Sequence, residues 1–120
     1  MIIARPIFRI FDYQKAIEFY VDWLGFEIES EHTFGENFPL YLILSFKELK
    51  IHLTEHYGDC SPGARIHIEN FVGLKDYHKN LILKNYKYNK PEIEKAFWDN
   101  KISTMQVIDP FGNRLTFTGE

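Results

Sequence analysis

The chain has a single cysteine, Cys60, among its 120 residues. One cysteine rules out a disulfide within the chain and is typical of a reducing compartment, so we expect a cytoplasmic protein. No neighbour in the sequence would activate this thiol as a nucleophile. We therefore interpret Cys60 as an inert or structural residue.

Long apolar runs and clusters of basic residues are also missing. The N-terminal stretch Met1–Pro6 is too short to be a signal peptide, and no segment approaches the length needed to cross a membrane. Lysine and arginine total 14 against 17 acidic residues, which gives a formal net charge of -3. Without a basic patch, we expect neither nucleic acid nor a membrane as a partner.

Aromatic residues are abundant instead. They make up 17% of the chain, with 11 Phe, 7 Tyr and 2 Trp. This is more than a core of this size requires, so some of the rings are expected to line a pocket or an interface. Phe19 and Trp23 fall on the apolar stripe of a predicted helix and belong to the core. Trp98 lies outside any apolar periodicity, in a predicted polar loop, and is the better candidate for a functional role.

The stretch Asp109–Phe117 carries a turn signal near the end of the sequence. Asp109, Pro110 and Gly112 occupy the positions that a type I turn prefers for these residue types. β-Favouring runs at 102–108 and 114–118 flank the turn. The pattern predicts a hairpin that closes a sheet.

The rest of the pattern predicts the order β-α-β-β-β, repeated in about residues 1–58 and 62–120 of a single domain. The predicted elements are an edge strand or arm in 2–11, a helix over 13–24 with Asp12 as its cap and Gly25 at its end, a half-buried strand over 26–31, a hairpin of 40–46 and 49–54, a strand over 64–69, a helix over 74–84, a short strand near 86–88, and the final hairpin. Two mixed sheets with helices outside predict a cup-shaped α+β domain.

Three segments resemble the glyoxalase / bleomycin resistance protein / extradiol dioxygenase superfamily, the vicinal oxygen chelate fold. Residues 12–26 are similar to its first helix, and Asp109–Phe117 is similar to its last turn. The segment His52–Gly63 resembles HLSEHHGD-x-x-PG of the bleomycin-resistance-like branch. The resemblance covers nearly the whole chain and implies two βαβββ modules that form a cup-shaped mixed sheet.

The resemblance also maps four metal-ligand positions of the superfamily onto this chain. They fall on Arg5, His52, Ala64 or its neighbour, and Thr116. Only His52 is a plausible ligand, because a guanidinium would repel the ion and the other two side chains bind metals poorly or not at all. We therefore expect no metal, no cofactor and no metal-assisted catalysis.

The branch implies sequestration of an antibiotic in a cleft. A bleomycin-like ligand has a flat ring system and a cationic tail, which call for aromatic faces and negative potential. The candidate ligand-binding residues are Phe34, Phe38, Tyr41, His52, Trp98 and Thr116. Phe97 is a further candidate beside Trp98, where the branch has PWG and this chain has Phe97-Trp98-Asp99.

Members of the branch are homodimers that exchange N-terminal arms, with a proline at the hinge of the arm. Pro6 lies at the corresponding place, six residues before Asp12, and its ring favours an extended chain. The resemblance thus implies an arm-exchanged homodimer that forms clefts between its subunits.

Two other functions stay open. The first is a glyoxalase-like or dioxygenase-like metalloenzyme that uses His52, His67 and a carboxylate such as Glu69 or Glu55. The second is an interaction module whose cleft is filled by its own side chains. His56 and Asp59 could bind an ion, although turn chemistry explains this loop better. For His78, packing or surface exposure is the simpler reading.

Overall fold

The computed structural model describes residues 1–33 and 35–120. The chain separates into two compact units, one formed by Met1–Ala64 with Asp109–Asn113 and the other by Arg65–Ile108 with Arg114–Glu120. Each unit has the order β-α-β-β-β, as the sequence predicts. The assignment of residues 1–120 to a single domain stays a prediction.

The first unit contains β1 (Ile7–Arg9), β2 (Glu27–Thr33), β3 (Leu40–Phe46) and β4 (Leu49–Thr54). Their order in the sheet is β1-β4-β3-β2, with β1 parallel to β4 and the other pairs antiparallel. Alternation along the strands places Phe8, Leu42, Leu44, Ile51 and Leu53 on one buried face. The opposite face carries a mixture of polar and apolar side chains, among them Tyr41, His52 and Ile43.

The first helix begins as predicted. Asp12 caps α1 (Tyr13–Ala16), since its Oδ1 accepts a hydrogen bond from the Lys15 backbone nitrogen at 3.0 Å. A π-helical segment (Ile17–Trp23) continues the helix, and the Leu24 nitrogen bonds to the Phe19 carbonyl five residues back. Gly25 follows with a φ of +92°. The predicted stripe is buried here through Phe19, Tyr20, Trp23 and Leu24.

Strand β2 is where the predicted burial is wrong. Alternation from 26 to 31 predicts a half-buried strand, but every residue of β2 is exposed, and only the preceding Phe26 is buried. The cause is its place at the edge of the sheet, beyond the strands that form the core.

The second unit contains β5 (Arg65–Ile68), α2 (Leu74–Leu83), β6 (Ile93–Ala96), β7 (Asp99–Ile108) and β8 (Arg114–Gly119). The sheet order is β5-β8-β7-β6, and β5 is parallel to β8. The ring of Tyr77 stacks on Phe71 at 5.0 Å and meets Phe117 edge-on at 5.8 Å, which joins α2 to the sheet. His78 takes part in packing, as its Nε2 lies 2.8 Å from the Pro91 carbonyl oxygen.

The predicted position of the short strand after α2 is wrong. Residues 86–88 form no strand, and the short strand is β6 at Ile93–Ala96. Strand β7 also begins earlier than predicted, at Asp99. Phe97 and Trp98 therefore lie at the tight turn between β6 and β7 rather than in a loop before the final hairpin.

The turn at Asp109 forms as predicted. The Gly112 nitrogen donates to the Asp109 carbonyl at 3.2 Å, and Gly112 has a φ of +90°. The Asp109 carboxylate accepts from the nitrogens of Phe111 and Asn113 at 2.9 and 2.8 Å. The turn thus connects β7 to β8 and aligns them in register. Among the described residues, none of the helices has the length and apolar character to span a bilayer.

Candidate functional site

The outer face of the second sheet is polar along its central strands. On β8, Leu115 and Phe117 are fully buried, while Thr116 between them points to the opposite face. Thr116 pairs with His67 on β5 and with Gln106 on β7. Its Oγ1 donates to Gln106 Oε1 at 3.3 Å. This row of polar side chains forms the floor of the candidate site.

Aromatic rings at the β6–β7 turn form one wall of this face. The Phe97 and Trp98 rings are perpendicular, with centroids 4.9 Å apart. Trp98 is 50% exposed, and its ring centroid is 6.3 Å from that of His67. A large ring that is half open to solvent beside polar groups can stack on a flat ligand.

Two cavities meet at Trp98 and His67. The first, which we call the Trp98 cavity, has a volume of about 550 Å³. It is lined by Arg65, His67, Glu92, Glu94, Phe97, Trp98, Thr104, Gln106 and Thr116. A second cavity of about 570 Å³ shares His67 and Trp98 and also contains Glu69 and Phe71. The Trp98 cavity has two carboxylates against one guanidinium, so its potential favours cations.

The predicted residues Tyr41 and His52 come together on the outer face of the first sheet. Tyr41 Oη lies 2.6 Å from His52 Nδ1. Burial lowers the pKa of His52, and the charge of Arg5 lowers it further. Burial raises the pKa of Tyr41, as do Asp59 and Cys60 to a smaller extent. The pair is therefore neutral at physiological pH and offers hydrogen bonds rather than charge.

His52 Nε2 is buried and has no hydrogen-bond partner among the described residues. Its side chain lies on the face opposite Ile51 and Leu53, as the alternation predicts. Thr54, two residues further on, donates to Asp59 Oδ2 at 2.7 Å. Asp59 thus takes part in loop structure, and burial raises the pKa of Cys60 beside it.

The strand register differs from the mapped metal-ligand positions. Ile7, not Arg5, pairs with His52, and His67, not Ala64, pairs with Thr116. Each parallel pair thus offers one imidazole beside an isoleucine or a threonine. Within residues 1–33 and 35–120, no three His, Cys, Asp or Glu side chains lie close enough to hold an ion. This donor set does not fit a transition metal.

Two further predicted residues, Phe38 and Pro6, belong to the first unit, as Tyr41 and His52 do. Phe38 is 57% exposed and lines a different cavity of the first unit, together with Arg9. Phe34 lies outside the described residues. Pro6 precedes β1, and its carbonyl oxygen accepts a hydrogen bond from the His52 nitrogen at 3.0 Å.

Several lining residues escaped sequence reasoning. Glu92, Glu94 and Gln106 carry no motif, and they are identified only because they line the same cavity as Trp98 and Thr116. A correct placement of β6 would have suggested the two glutamates, because they bracket Ile93 in an alternating pattern. From the sequence alone, His67 is a candidate only as a metal ligand.

Comparison with known sequences identifies the family. A family model described as glyoxalase superfamily protein matches residues 2–120. The chain belongs to the glyoxalase superfamily. Both the superfamily and the two-module α+β fold are thereby confirmed. No curated protein matches this superfamily member in sequence.

Solved structures of the superfamily share its fold. The bleomycin resistance determinant encoded on transposon Tn5 is 18% identical, with a TM-score of 0.74 over 100% of this chain and 98% of the other. A bleomycin-binding protein complexed with bleomycin is 19% identical, with a TM-score of 0.70 over 100% and 99%. A glyoxalase family protein from Bacillus anthracis is 18% identical, with a TM-score of 0.66 over 100% and 97%.

Proposed function

We propose that this protein sequesters a flat, cationic small molecule of the bleomycin type, without metal chemistry, in the cytoplasm. The observation that carries the proposal is the Trp98 cavity, where a half-exposed tryptophan stands over a polar floor with an excess of carboxylates. Two structures with the same fold are a bleomycin-binding protein and a bleomycin resistance determinant. Their identity to this chain is too low to transfer the ligand, so the cavity is the main support.

The chemistry of the Trp98 cavity suits such a ligand. Stacking on the indole adds about 0.5–1.5 kcal/mol beyond the area buried, and a cation over the ring adds about 0.5–1 kcal/mol. Glu92 and Glu94 would attract the cationic tail, while the Thr116 hydroxyl and Gln106 amide would orient polar groups of the ligand. Tyr41 and His52, on the first unit, are separate candidates for neutral hydrogen bonds to a ligand.

Metal-free bleomycin should quench the fluorescence of Trp98. The chain has two tryptophans, and Trp23 is 2% exposed, so its signal should be nearly constant. We expect saturable quenching, and we expect Trp98→Ala to weaken binding roughly tenfold through lost stacking and cation–π energy. Isothermal titration calorimetry measures the affinities of the parent and of Trp98→Ala for bleomycin.

Two further variants sharpen this test. Glu92→Gln with Glu94→Gln should weaken bleomycin binding and reduce its dependence on salt, whereas Glu18→Gln, on the exposed face of the first helix, should change neither. A flat titration of the parent protein would withdraw bleomycin as the ligand. Stoichiometric metal in protein expressed in metal-supplemented medium would favour the metalloenzyme that uses His52.

We also propose that two copies exchange N-terminal arms and share the ligand clefts. Met1 and Ile2 are fully exposed, and Ile3 and Ile7 are 60% and 40% exposed. Such a run of apolar surface is stabilised by a partner. Pro6 is suited to the hinge, because its ring limits the arm to extended conformations and its carbonyl is held by His52.

Pro6→Gly should weaken the dimer by about 0.4–1 kcal/mol, because glycine adds conformational freedom to the free arm. Sedimentation velocity across a dilution series measures the dissociation constant. Pro62→Gly, in the exposed loop before β5, is the matched control and should leave dimerisation unchanged. Equal dissociation constants for the parent and Pro6→Gly would refute the hinge.

A further inference from the structure

Arg9 is a buried cation whose partners among the described residues are neutral groups. It is the last residue of β1 and is only 9% exposed. Its Nη1 donates to the carbonyl oxygens of Ile10 and Glu55 at 3.1 and 2.9 Å. A charge that is removed from water needs an opposite charge or many hydrogen bonds to offset its desolvation.

The guanidinium has unused hydrogen-bonding capacity. Arginine carries five N–H donors, and the two bonds from Nη1 leave the Nε and Nη2 donors without an acceptor among the described residues. The carboxylate of Glu29, on β2, is paired with Lys50. Asp59, on the loop after β4, accepts from Thr54 instead.

A cavity lies beside this guanidinium. It has a volume of about 330 Å³ and is lined by Arg9, Ile10, Phe11, Asn37, Phe38, Pro39 and Glu55. The Arg9 Cζ lies 4.5 Å from the centroid of the Phe11 ring, which fixes the plane of the guanidinium. Phe11 and Phe38 are 58% and 57% exposed, so both rings have surface left for a ligand.

The opposite wall of this cavity is also fixed by local contacts. The Phe38 nitrogen bonds to the Gly35 carbonyl at 3.2 Å, and a Cβ on Gly35 would lie 2.9 Å from the Phe38 ring. Glu55 Oε1 accepts from the Leu40 nitrogen at 3.0 Å, so the carboxylate is held at the strand end. This single negative charge makes the cavity a poor host for a dianion such as phosphate.

We infer that the Arg9 cavity binds a monocarboxylate with an aromatic or apolar body. The planar guanidinium matches a carboxylate in shape and charge, and the Phe11 and Phe38 rings contact the body. This site differs from the Trp98 cavity in the sign of the charge it selects. The inference does not rest on the proposed function, because its residues and its probe are different.

Phenylacetate is the probe for this site. Titration into the full chain should shift the Arg9 Nε–H signal in ¹⁵N-edited NMR and saturate at millimolar concentration. Phenethylamine has a similar body with the opposite charge and should leave this signal in place. Phenylphosphonate, as a dianion, should bind more weakly than phenylacetate.

Arg9→Lys keeps the charge but loses the planar fork, and we expect it to weaken phenylacetate binding about tenfold. Arg114→Lys, at an exposed position of β8, is the matched control and should bind as the parent does. Should Arg9→Lys fail to fold, Phe38→Ala is the second variant. Phe38 is exposed, so this change spares the fold, and we expect it to weaken binding several-fold.

Three outcomes would overturn the inference. The first is the absence of any saturable shift up to about 20 mM phenylacetate. The second is equal affinity in the parent, Arg9→Lys and Phe38→Ala. The third is a response at the Trp98 indole in place of Arg9. A failed bleomycin titration would leave this site unaffected, so the two proposals fail separately.

Discussion

Replacing Asp109 with alanine is expected to lower the free energy of unfolding by about 4 kcal/mol. The Asp109 carboxylate accepts four hydrogen bonds, from the Tyr20 hydroxyl, the Phe111 nitrogen, and both the backbone and side-chain nitrogens of Asn113. Tyr20 and Asn113 are fully buried. Alanine would leave these donors without an acceptor in a place that water cannot easily reach.

Urea denaturation of Asp109→Ala and Tyr20→Phe tests this expectation. Tyr20→Phe removes one donor and keeps the other three bonds, so it should cost only about 1.5–3 kcal/mol. Asn113 also donates to the Arg9 carbonyl and accepts from the Ala64 nitrogen, so the network extends beyond the turn. A loss below about 1 kcal/mol for Asp109→Ala would show that water replaces the carboxylate.

The stabilities of the parent and the two variants should be compared at one pH, pH 7, because the contribution of Asp109 to stability changes with its protonation. Burial raises the pKa of Asp109, although its four donors act in the opposite direction. A carboxyl group with a raised folded-state pKa favours the folded state most below its unfolded value of about 3.9. That contribution is lost as the pH rises through the folded-state pKa. Asp109→Ala removes this titrating group, so its loss of stability relative to the parent depends on pH and is compared at a fixed pH.

Local chemistry explains the parts of the fold that could be predicted from the sequence. Asp12 and the Asp109 turn act on backbone groups within four residues, so their signals lie in short stretches of sequence. Strand β6 could not be predicted in this way. Its residues Ile93–Ala96 include glutamate, lysine and alanine, which disfavour strands, and it forms because it pairs with β7.

Some features of the candidate site could likewise be predicted from local sequence, and others could not. Trp98 could be singled out from the sequence because it falls outside any apolar periodicity, and the structure leaves it half exposed. The pairing of His67 with Thr116 joins residues 49 positions apart, which no local pattern encodes. No local pattern indicates that Arg9 is buried. Its guanidinium is held by Glu55, which lies 46 residues further along the chain.

Gly119→Ala is expected to lower the free energy of unfolding by about 3 kcal/mol, at the upper end of overpacking effects. A Cβ at Gly119 would overlap the Phe71 carbonyl oxygen and lie 2.8 Å from its carbonyl carbon and 2.9 Å from its nitrogen. These are backbone atoms, so no side-chain rotation can relieve the overlap. The Phe71 nitrogen also bonds to the Thr118 carbonyl at 2.9 Å, which holds the two segments together.

Gly58→Ala is the control for the added methyl group. Gly58 has a φ of +94°, and no described atom lies within 4 Å of where an alanine Cβ would be, so alanine there carries only backbone strain of about 1 kcal/mol. Thermal and urea denaturation of both variants give the comparison. Equal losses would mean that the segment at Phe71 moves aside freely.

Gly119→Ala should also affect the candidate site. Gly119 and Phe71 line the cavity that shares Trp98 and His67 with the Trp98 cavity. If the backbone at Phe71 moves away from the new methyl group, the surroundings of the Trp98 indole will change. Gly58→Ala should not change them. We therefore expect the emission maximum of Trp98 to shift in folded Gly119→Ala, because Gly119, Phe71 and Trp98 line the same cavity.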